Sequence, residues 1–149
     1  MKRFDFKLEP LLNFRKYLEL LSQQMTAKAH LDLNNCENQI ALLKEKYLSA
    51  SDDLEKHMVK GINAKDFKQH HHFLGNIEND IENQLRSKIE LKKVLEKKIA
   101  ELKKRSVDKK VIEVLKDKRQ KEYNDEIIKQ DQKILDEISS QKKSRDIAK

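Results

Sequence analysis

Apolar residues recur three and four positions apart along the first sixty residues of the chain. Such spacing is typical of a long helix that buries one narrow stripe against another helix. Two successive steps of four around Ala29 predict a stutter, which locally unwinds a supercoil without ending the helix. Pro10 suits a first helical turn, so the pattern predicts a helix over about residues 8–59. The predicted stripe consists of Leu11, Phe14, Leu18, Leu21, Met25, Ala29, Leu33, Cys36, Ile40, Leu43, Tyr47, Ala50, Leu54 and Met58.

A second stripe follows a local break in this pattern. Gly61 is the first glycine, and Asn63 with Asp66 three positions later is a helix-start signal. The sequence therefore predicts a turn over about residues 60–63 and a second helix over about 64–145. The second stripe weakens over residues 103–110. It consists of Phe67, Phe73, Leu74, Ile77, Ile81, Leu85, Ile89, Leu95, Ile99, Leu102, Ile112, Leu115, Tyr123, Ile127, Ile134 and Ile138.

The short connection decides how the two helices pair. A link of a few residues forces two long helices to lie antiparallel, and a reversal near residue 62 places Tyr47 beside Ile77. The second helix is the longer one, which leaves residues of about 122–149 without a partner in the first. The predicted fold is all-α, a single domain over residues 1–149. It is a long two-helix antiparallel coiled coil, or helical hairpin, with a longer C-terminal helix.

Composition narrows the class of protein. Charged residues make up 40% of the chain and hydrophobic residues 37%, with 2 Gly and 1 Pro. This suits either a disordered chain or a long helix with a narrow apolar seam. The abundance of Leu, Lys, Glu, Gln, Ile and Ala favours helix. One cysteine excludes an internal disulfide, and the absence of a signal peptide or a long apolar run predicts a soluble, cytoplasmic protein. The chain is expected to be a monomer when free.

The net charge of +7 is partly local, since nine basic residues lie between Lys103 and Lys121. Such a stretch attracts acidic protein, membrane head groups or nucleic acid, or else it is simply a solvated helix face. A basic stretch beside a heptad seam has the layout of a basic zipper. The break at Gly61 and the interleaved acidic residues argue against nucleic acid as the partner.

Candidate chemistry is sparse. Side chains of the run His70, His71 and His72 point about 100° apart on a helix, so the three cannot converge on one metal ion. No histidine pair has the i, i+4 spacing of helical metal ligands, and Cys36 falls in the apolar stripe as a core residue. The sequence predicts no catalytic residue, no cofactor and no metal. Phe67, Phe73 and Leu74 near the turn are either turn packing or a partner patch.

Three segments resemble the family of the flagellar export protein FliJ. The opening stretch from Phe4 to Leu12, with Arg15, resembles the family pattern F-x-F-x-L-x-x-L-L-x-x-R. The hairpin region, from Gly61-Ile62 to Ile81, is similar to the family's turn and second-helix start. The segment from Leu115 to Ile138 resembles its basic-then-acidic C-terminal helix.

The resemblance implies a non-enzymatic stalk, similar to the gamma-subunit coiled coil of rotary ATP synthases, in the flagellar type III export apparatus. It implies that the terminal end binds the hexameric export ATPase, that a patch nearer the hairpin binds the membrane export gate, and that export chaperones are partners. It also implies that the protein is associated peripherally with the inner face of the cell membrane at the flagellar base. The implied ATPase end consists of Leu11, Leu12, Arg15, Lys118, Arg119 and Tyr123. The implied gate patch consists of Ile40, Leu43, Tyr47, Phe73, Ile77, Asp80 and Gln84.

Other functions stay open at this point. One alternative is an injectisome stalk or a generic coiled-coil scaffold, because coiled-coil sequences of different function look alike. A basic nucleic-acid-binding coiled coil is the less favoured alternative, and a salt-dependent interaction with random duplex DNA would distinguish it.

Overall fold

Two long helices account for nearly all of the chain. The structure, a computed structural model, describes residues 2–148. Helix α1 spans Glu9–Lys60 and helix α2 spans Ala64–Ala148, with 52 and 85 residues. Pro10 lies in the first turn of α1, where its missing N–H leaves no helical hydrogen bond unmade. The predicted all-α, two-helix fold with a longer second helix is confirmed.

The reversal between the helices depends on one glycine and one asparagine. Gly61 has a φ of 91°, a left-handed conformation that suits a residue just after a helix. The Asn63 side-chain oxygen accepts a hydrogen bond of 2.8 Å from the backbone N–H of Asp66. Asn63 therefore caps α2, since it satisfies one of the otherwise unpaired N–H groups of the first turn.

The chain divides into two compact units. Unit 1 comprises Met1–Glu19 and Lys104–Lys149, and unit 2 comprises Leu20–Lys103. Each unit contains a stretch of both helices. The prediction of a single domain stays a prediction.

In unit 2 the buried stripe of α1 differs from the predicted one. Ser22 and Thr26 are 7% exposed, whereas Leu21 and Met25, predicted for the seam, are 40% and 45% exposed. The buried and half-buried positions then alternate in steps of three and four without interruption. This stripe consists of Ser22, Thr26, Ala29, Leu33, Cys36, Ile40, Leu43, Tyr47, Ala50 and Leu54, and Asp32 and Ser51 beside it are also half-buried. The predicted stutter is therefore wrong.

Hydrogen bonding explains how Thr26 can occupy this seam. The Thr26 hydroxyl donates a hydrogen bond of 2.8 Å to the backbone oxygen of Ser22 and lies 3.3 Å from that of Lys98 on α2. A buried hydroxyl with a partner avoids the cost of an unsatisfied polar group. Because Ser22 and Thr26 are polar, apolar spacing alone predicts the neighbouring stripe that contains Leu21 and Met25.

Helix α2 of unit 2 shows the same kind of correction. Leu85, Ile89 and Ile99 were predicted for the seam but are 42%, 56% and 45% exposed. Gln84, Lys88 and other residues lie buried or half-buried in their place, again three and four positions apart. The observed stripe is Leu74, Ile77, Ile81, Gln84, Lys88, Leu91, Leu95, Lys98 and Leu102.

Contacts across unit 2 establish the antiparallel register. The Tyr47 hydroxyl hydrogen-bonds to the Glu78 carboxylate at 2.8 Å. Nearer the middle of α1, Cys36 lies 3.4 Å from the backbone oxygen of Gln84. These pairs, like Thr26 and Lys98, are arranged nearly symmetrically about residue 62, which agrees with the predicted reversal.

Unit 1 has a small core of its own. Phe6, Leu12 and Ile112 are buried together, with Phe4, Leu8 and Leu115 packed against them. The two phenylalanines precede α1, so a short non-helical segment lies on α2 beside the helix start. Further along, α2 continues as a helix although every side chain from residue 128 to 148 is exposed. Exposed apolar residues of this stretch include Ile128, Ile134, Leu135, Ile138 and Ile147.

Candidate partner-binding surfaces

The N-terminal motif residues of unit 1 serve first to attach the chain start to α2. The Phe4 and Tyr123 rings have centroids 5.5 Å apart, and the Arg119 guanidinium lies 6.0 Å from the centre of the Phe6 ring. The Tyr123 hydroxyl also donates a hydrogen bond to the backbone oxygen of Lys2. The F-x-F pattern therefore has a structural role, because its rings hold residues 2–8 against the second helix.

The six residues implied for the ATPase end do not form one exposed surface. Leu12 is 1% exposed and belongs to the core. Arg15 is half-buried, and its guanidinium donates a hydrogen bond of 2.6 Å to the backbone oxygen of Asp108. Leu11 and Lys118 are exposed, as is the Arg119 side chain that lies over Phe6. Tyr123 is half-buried.

An open groove in unit 1 brings apolar and charged groups together. It has a volume of about 230 Å³ and runs between the two helices. Phe14 is 57% exposed there and Leu11 36%. Sequence reasoning assigned Phe14 to the seam alone, whereas Leu11 was assigned both to the seam and to the implied ATPase end. The groove itself was not predicted. Its lining is Leu11, Phe14, Arg15, Leu18, Arg105 and Asp108.

The groove could have been predicted by continuing the three-and-four spacing of the Ala29–Leu54 stripe toward the N-terminus. Steps of three and four backward from Ala29 reach Arg15 and Leu12, not Phe14 and Leu11. The apolar residues then fall on a stripe beside the seam. An apolar stripe of this kind marks a surface available to a partner.

Ion pairs between the helices occupy part of the basic stretch. Lys109 binds Glu19 at 2.8 Å, with side chains only 23% and 13% exposed. Lys116 binds Glu9 at 2.9 Å. The hydrogen bond from Lys109 lowers the pKa of Glu19, and the same bond raises the pKa of Lys109. Lys118 and Lys121 are among the exposed residues of the basic stretch and remain as surface charge.

The seven residues implied for the gate patch lie in unit 2, and several are interior. Ile77 is 2% exposed and Ile40 6%. Leu43 and Tyr47 are half-buried, as is Gln84, whose side-chain and backbone oxygens lie beside Cys36. Only two members of the patch, Phe73 and Asp80, are exposed.

Phe73 anchors the exposed part of this patch. Its ring is 44% exposed, and the Lys46 ammonium lies 5.3 Å from the ring centre. The ring is thus held in place by a cation while one face stays accessible. The nearby ring of Phe67 is 39% exposed and stacks on His71 at 6.1 Å.

Metal binding and membrane crossing are two further possibilities for residues 2–148. Within that range, no group of three or more His, Cys, Asp or Glu side chains is placed to hold a metal ion. In the same range, neither helix has a stretch apolar enough to cross a membrane. Cys36 is buried.

Fold and surface together define a structural coiled-coil protein, in which two antiparallel helices leave accessible apolar and basic patches beside their seam. The chain belongs to the FliJ family, described as flagellar FliJ protein, whose model matches residues 4–146. The resemblance of the three sequence segments is thereby confirmed. The family is a non-enzymatic structural component of flagellar type III export.

One solved structure is similar over most of both chains. CT670 from Chlamydia trachomatis, described as a YscO homolog, is 18% identical; the match covers 93% of this chain and 94% of that chain, with a TM-score of 0.45. A search among curated proteins found no match.

Proposed function

We propose that this protein is the coiled-coil stalk of the flagellar export apparatus. In this proposal its unit 1 surface binds the export ATPase hexamer, and a patch on unit 2 binds the membrane export gate. Export chaperones would be further partners, and the protein would act at the inner face of the cell membrane at the flagellar base. The observation that carries the ATPase contact is the groove at Leu11, Phe14 and Leu18, which exposes apolar surface beside a basic stretch.

Burial changes which implied residues contact the ATPase in this proposal. Phe14 and Leu11 supply the apolar contact, and Lys118 and Lys121 supply charge that steers an acidic partner to the site. Leu12 supports this surface from below, since its side chain is inaccessible. Arg119 and Tyr123 act by holding the N-terminal segment against α2.

The proposed gate patch also consists of accessible residues and interior residues. Phe73 and Asp80 are the members that a partner can reach. Ile40 and Ile77 form the seam beneath them, and truncating Ile77 to Ala would cost about 2–5 kcal/mol of stability. A binding test must therefore avoid Ile77.

One set of variants tests both surfaces. Phe14→Ala should weaken binding to the export ATPase and reduce stimulation of ATP hydrolysis, while Phe73→Ala should leave both unchanged and weaken binding to the gate. Leu48→Ala is the matched control, because Leu48 is an exposed apolar residue of α1 outside both patches, 68% exposed. If Phe14→Ala and Leu48→Ala bind the ATPase equally well, the groove is not the ATPase site.

A charge-reversal pair tests steering. Lys118→Glu with Lys121→Glu should slow association with the ATPase and make the remaining association less sensitive to salt. Lys65→Glu with Lys68→Glu applies the same charge change in unit 2, on residues that are also exposed. Equal association rates for the two double variants would contradict a steering role for the basic stretch.

A further inference from the structure

A histidine pair lies near the turn, beside the exposed ring of Phe73. His57, near the end of α1, and His70, near the start of α2, have ring centroids 5.2 Å apart. His57 continues the α1 stripe three positions after Leu54, and His70 precedes Leu74 by four positions on α2. Two imidazole rings, tilted by 40° to each other, therefore meet where the unit 2 stripes approach the turn.

Hydrogen bonding prepares one of these rings to act as a ligand. The Nδ1 atom of His57 lies 2.7 Å from the backbone oxygen of Asp53. A carbonyl oxygen can only accept a hydrogen bond, so Nδ1 carries the proton and Nε2 of the neutral ring keeps its lone pair. Histidines that bind metal ions commonly donate their other ring N–H to a backbone carbonyl in this way.

The distance between the rings also suits a shared ion. With metal–nitrogen bonds of about 2.0–2.1 Å, two imidazoles on one tetrahedral ion have ring centroids roughly 5 Å apart. The His57 side chain is exposed and that of His70 is half-buried, which leaves room for rotation and for water as the remaining ligands.

We propose that His57 and His70 together bind a divalent transition-metal ion of the zinc, nickel or copper class, and that the ion links the end of α1 to the start of α2. Imidazole nitrogen is a preferred ligand for these ions. Because the unfolded chain does not hold the two rings together, the bound ion stabilises the closed turn. The run of His70, His71 and His72 cannot by itself converge on one ion, and here the second ligand comes from the other helix.

The experiment separates the cross-helix pair from the histidine run. In a background carrying His71→Gln and His72→Gln, Zn²⁺ is titrated by calorimetry, and the thermal unfolding midpoint is recorded with Zn²⁺ and with EDTA. The background should bind one ion per chain and unfold at a higher temperature with Zn²⁺. Adding His57→Gln, or His70→Gln, should weaken binding by about tenfold or more and remove the Zn²⁺-dependent shift.

His30→Gln in the same background is the matched control, since it removes an exposed α1 histidine far along the chain from the turn. It should bind like the background. Circular dichroism checks that each variant remains helical. Undiminished Zn²⁺ binding after His57→Gln, or loss of binding in the background itself, would overturn the proposal. Electron paramagnetic resonance with Cu²⁺ gives an independent readout: the background should show nitrogen couplings from two imidazoles, and the His57→Gln variant from one.

Discussion

The two units solve the problem of pairing α1 with α2 by different means. Unit 2 relies on a regular stripe of apolar and small residues, interrupted by polar groups such as Thr26 that find partners across the seam. Unit 1 has a short core around Leu12 and Ile112, followed by the ion pair of Glu19 and Lys109 where further apolar residues would be expected. In unit 1 the α1 side chains of Phe14 and Tyr17 are 57% and 59% exposed and lie outside the seam. The comparison shows that an ion pair between the helices can take the place of apolar burial along part of a two-helix seam.

The largest expected effect is on the core of unit 1. Leu12→Ala should lower the free energy of unfolding by about 2–5 kcal/mol, because it removes a fully buried side chain from a small cluster. Hydrogen exchange of backbone amides should accelerate most in residues 9–19 and 108–118. Phe14→Ala on the same helix is the control and should change stability far less. Equal losses for the two variants would mean that Phe14, too, is part of the core.

The ion pair of unit 1 should show an intermediate effect. Lys109→Met should cost on the order of 1 kcal/mol at neutral pH, since the pair with Glu19 is only partly exposed. Because the folded-state pKa of Glu19 is lowered below its ordinary value of 4.5, this stabilisation is present above that pH and is lost as the pH falls. The raised pKa of Lys109 means that it is also lost as the pH rises above 10.5.

Urea unfolding at several pH values measures this contribution. The difference between wild type and Lys109→Met should be constant at neutral pH and shrink at both extremes. Lys93→Met is the matched control, because Lys93 pairs with Glu90 on the same helix with side chains 69% and 74% exposed. A difference that persists unchanged at pH 3 would show that Lys109 acts through packing instead of charge.

The smallest effect should come from unit 2, and it tests which stripe is the seam. Met25→Gln should change the free energy of unfolding by less than about 0.5 kcal/mol, as is usual for an exposed position. Ala29→Gln, one turn further along the same helix, should be strongly destabilising because Ala29 is 5% exposed. If Met25→Gln were as costly as Ala29→Gln, the stripe predicted from apolar spacing would be the correct one.

Much of the fold could be predicted because its signals are local. The helix starts, the capping role of Asn63 and the left-handed Gly61 depend on residues adjacent in sequence. The antiparallel pairing follows from a connection too short for any other arrangement. The binding surfaces were harder to predict, since exposure depends on which stripe faces the partner helix. Leu12 and Ile77 were assigned to contact surfaces and are interior, while Phe14 was assigned to the seam and is exposed.

The sequence by itself determined that this protein is two helices joined by one tight turn. It has too few apolar residues for a hydrophobic core wider than the seam between two helices. Only the tertiary structure decided which stripe of each helix became that seam. The reason is physical: neighbouring stripes on a helix have the same periodicity, and a polar side chain is acceptable inside when the opposite helix supplies its partner. Thr26 beside Lys98 and Glu19 with Lys109 are such pairs, and each joins residues that are far apart in sequence.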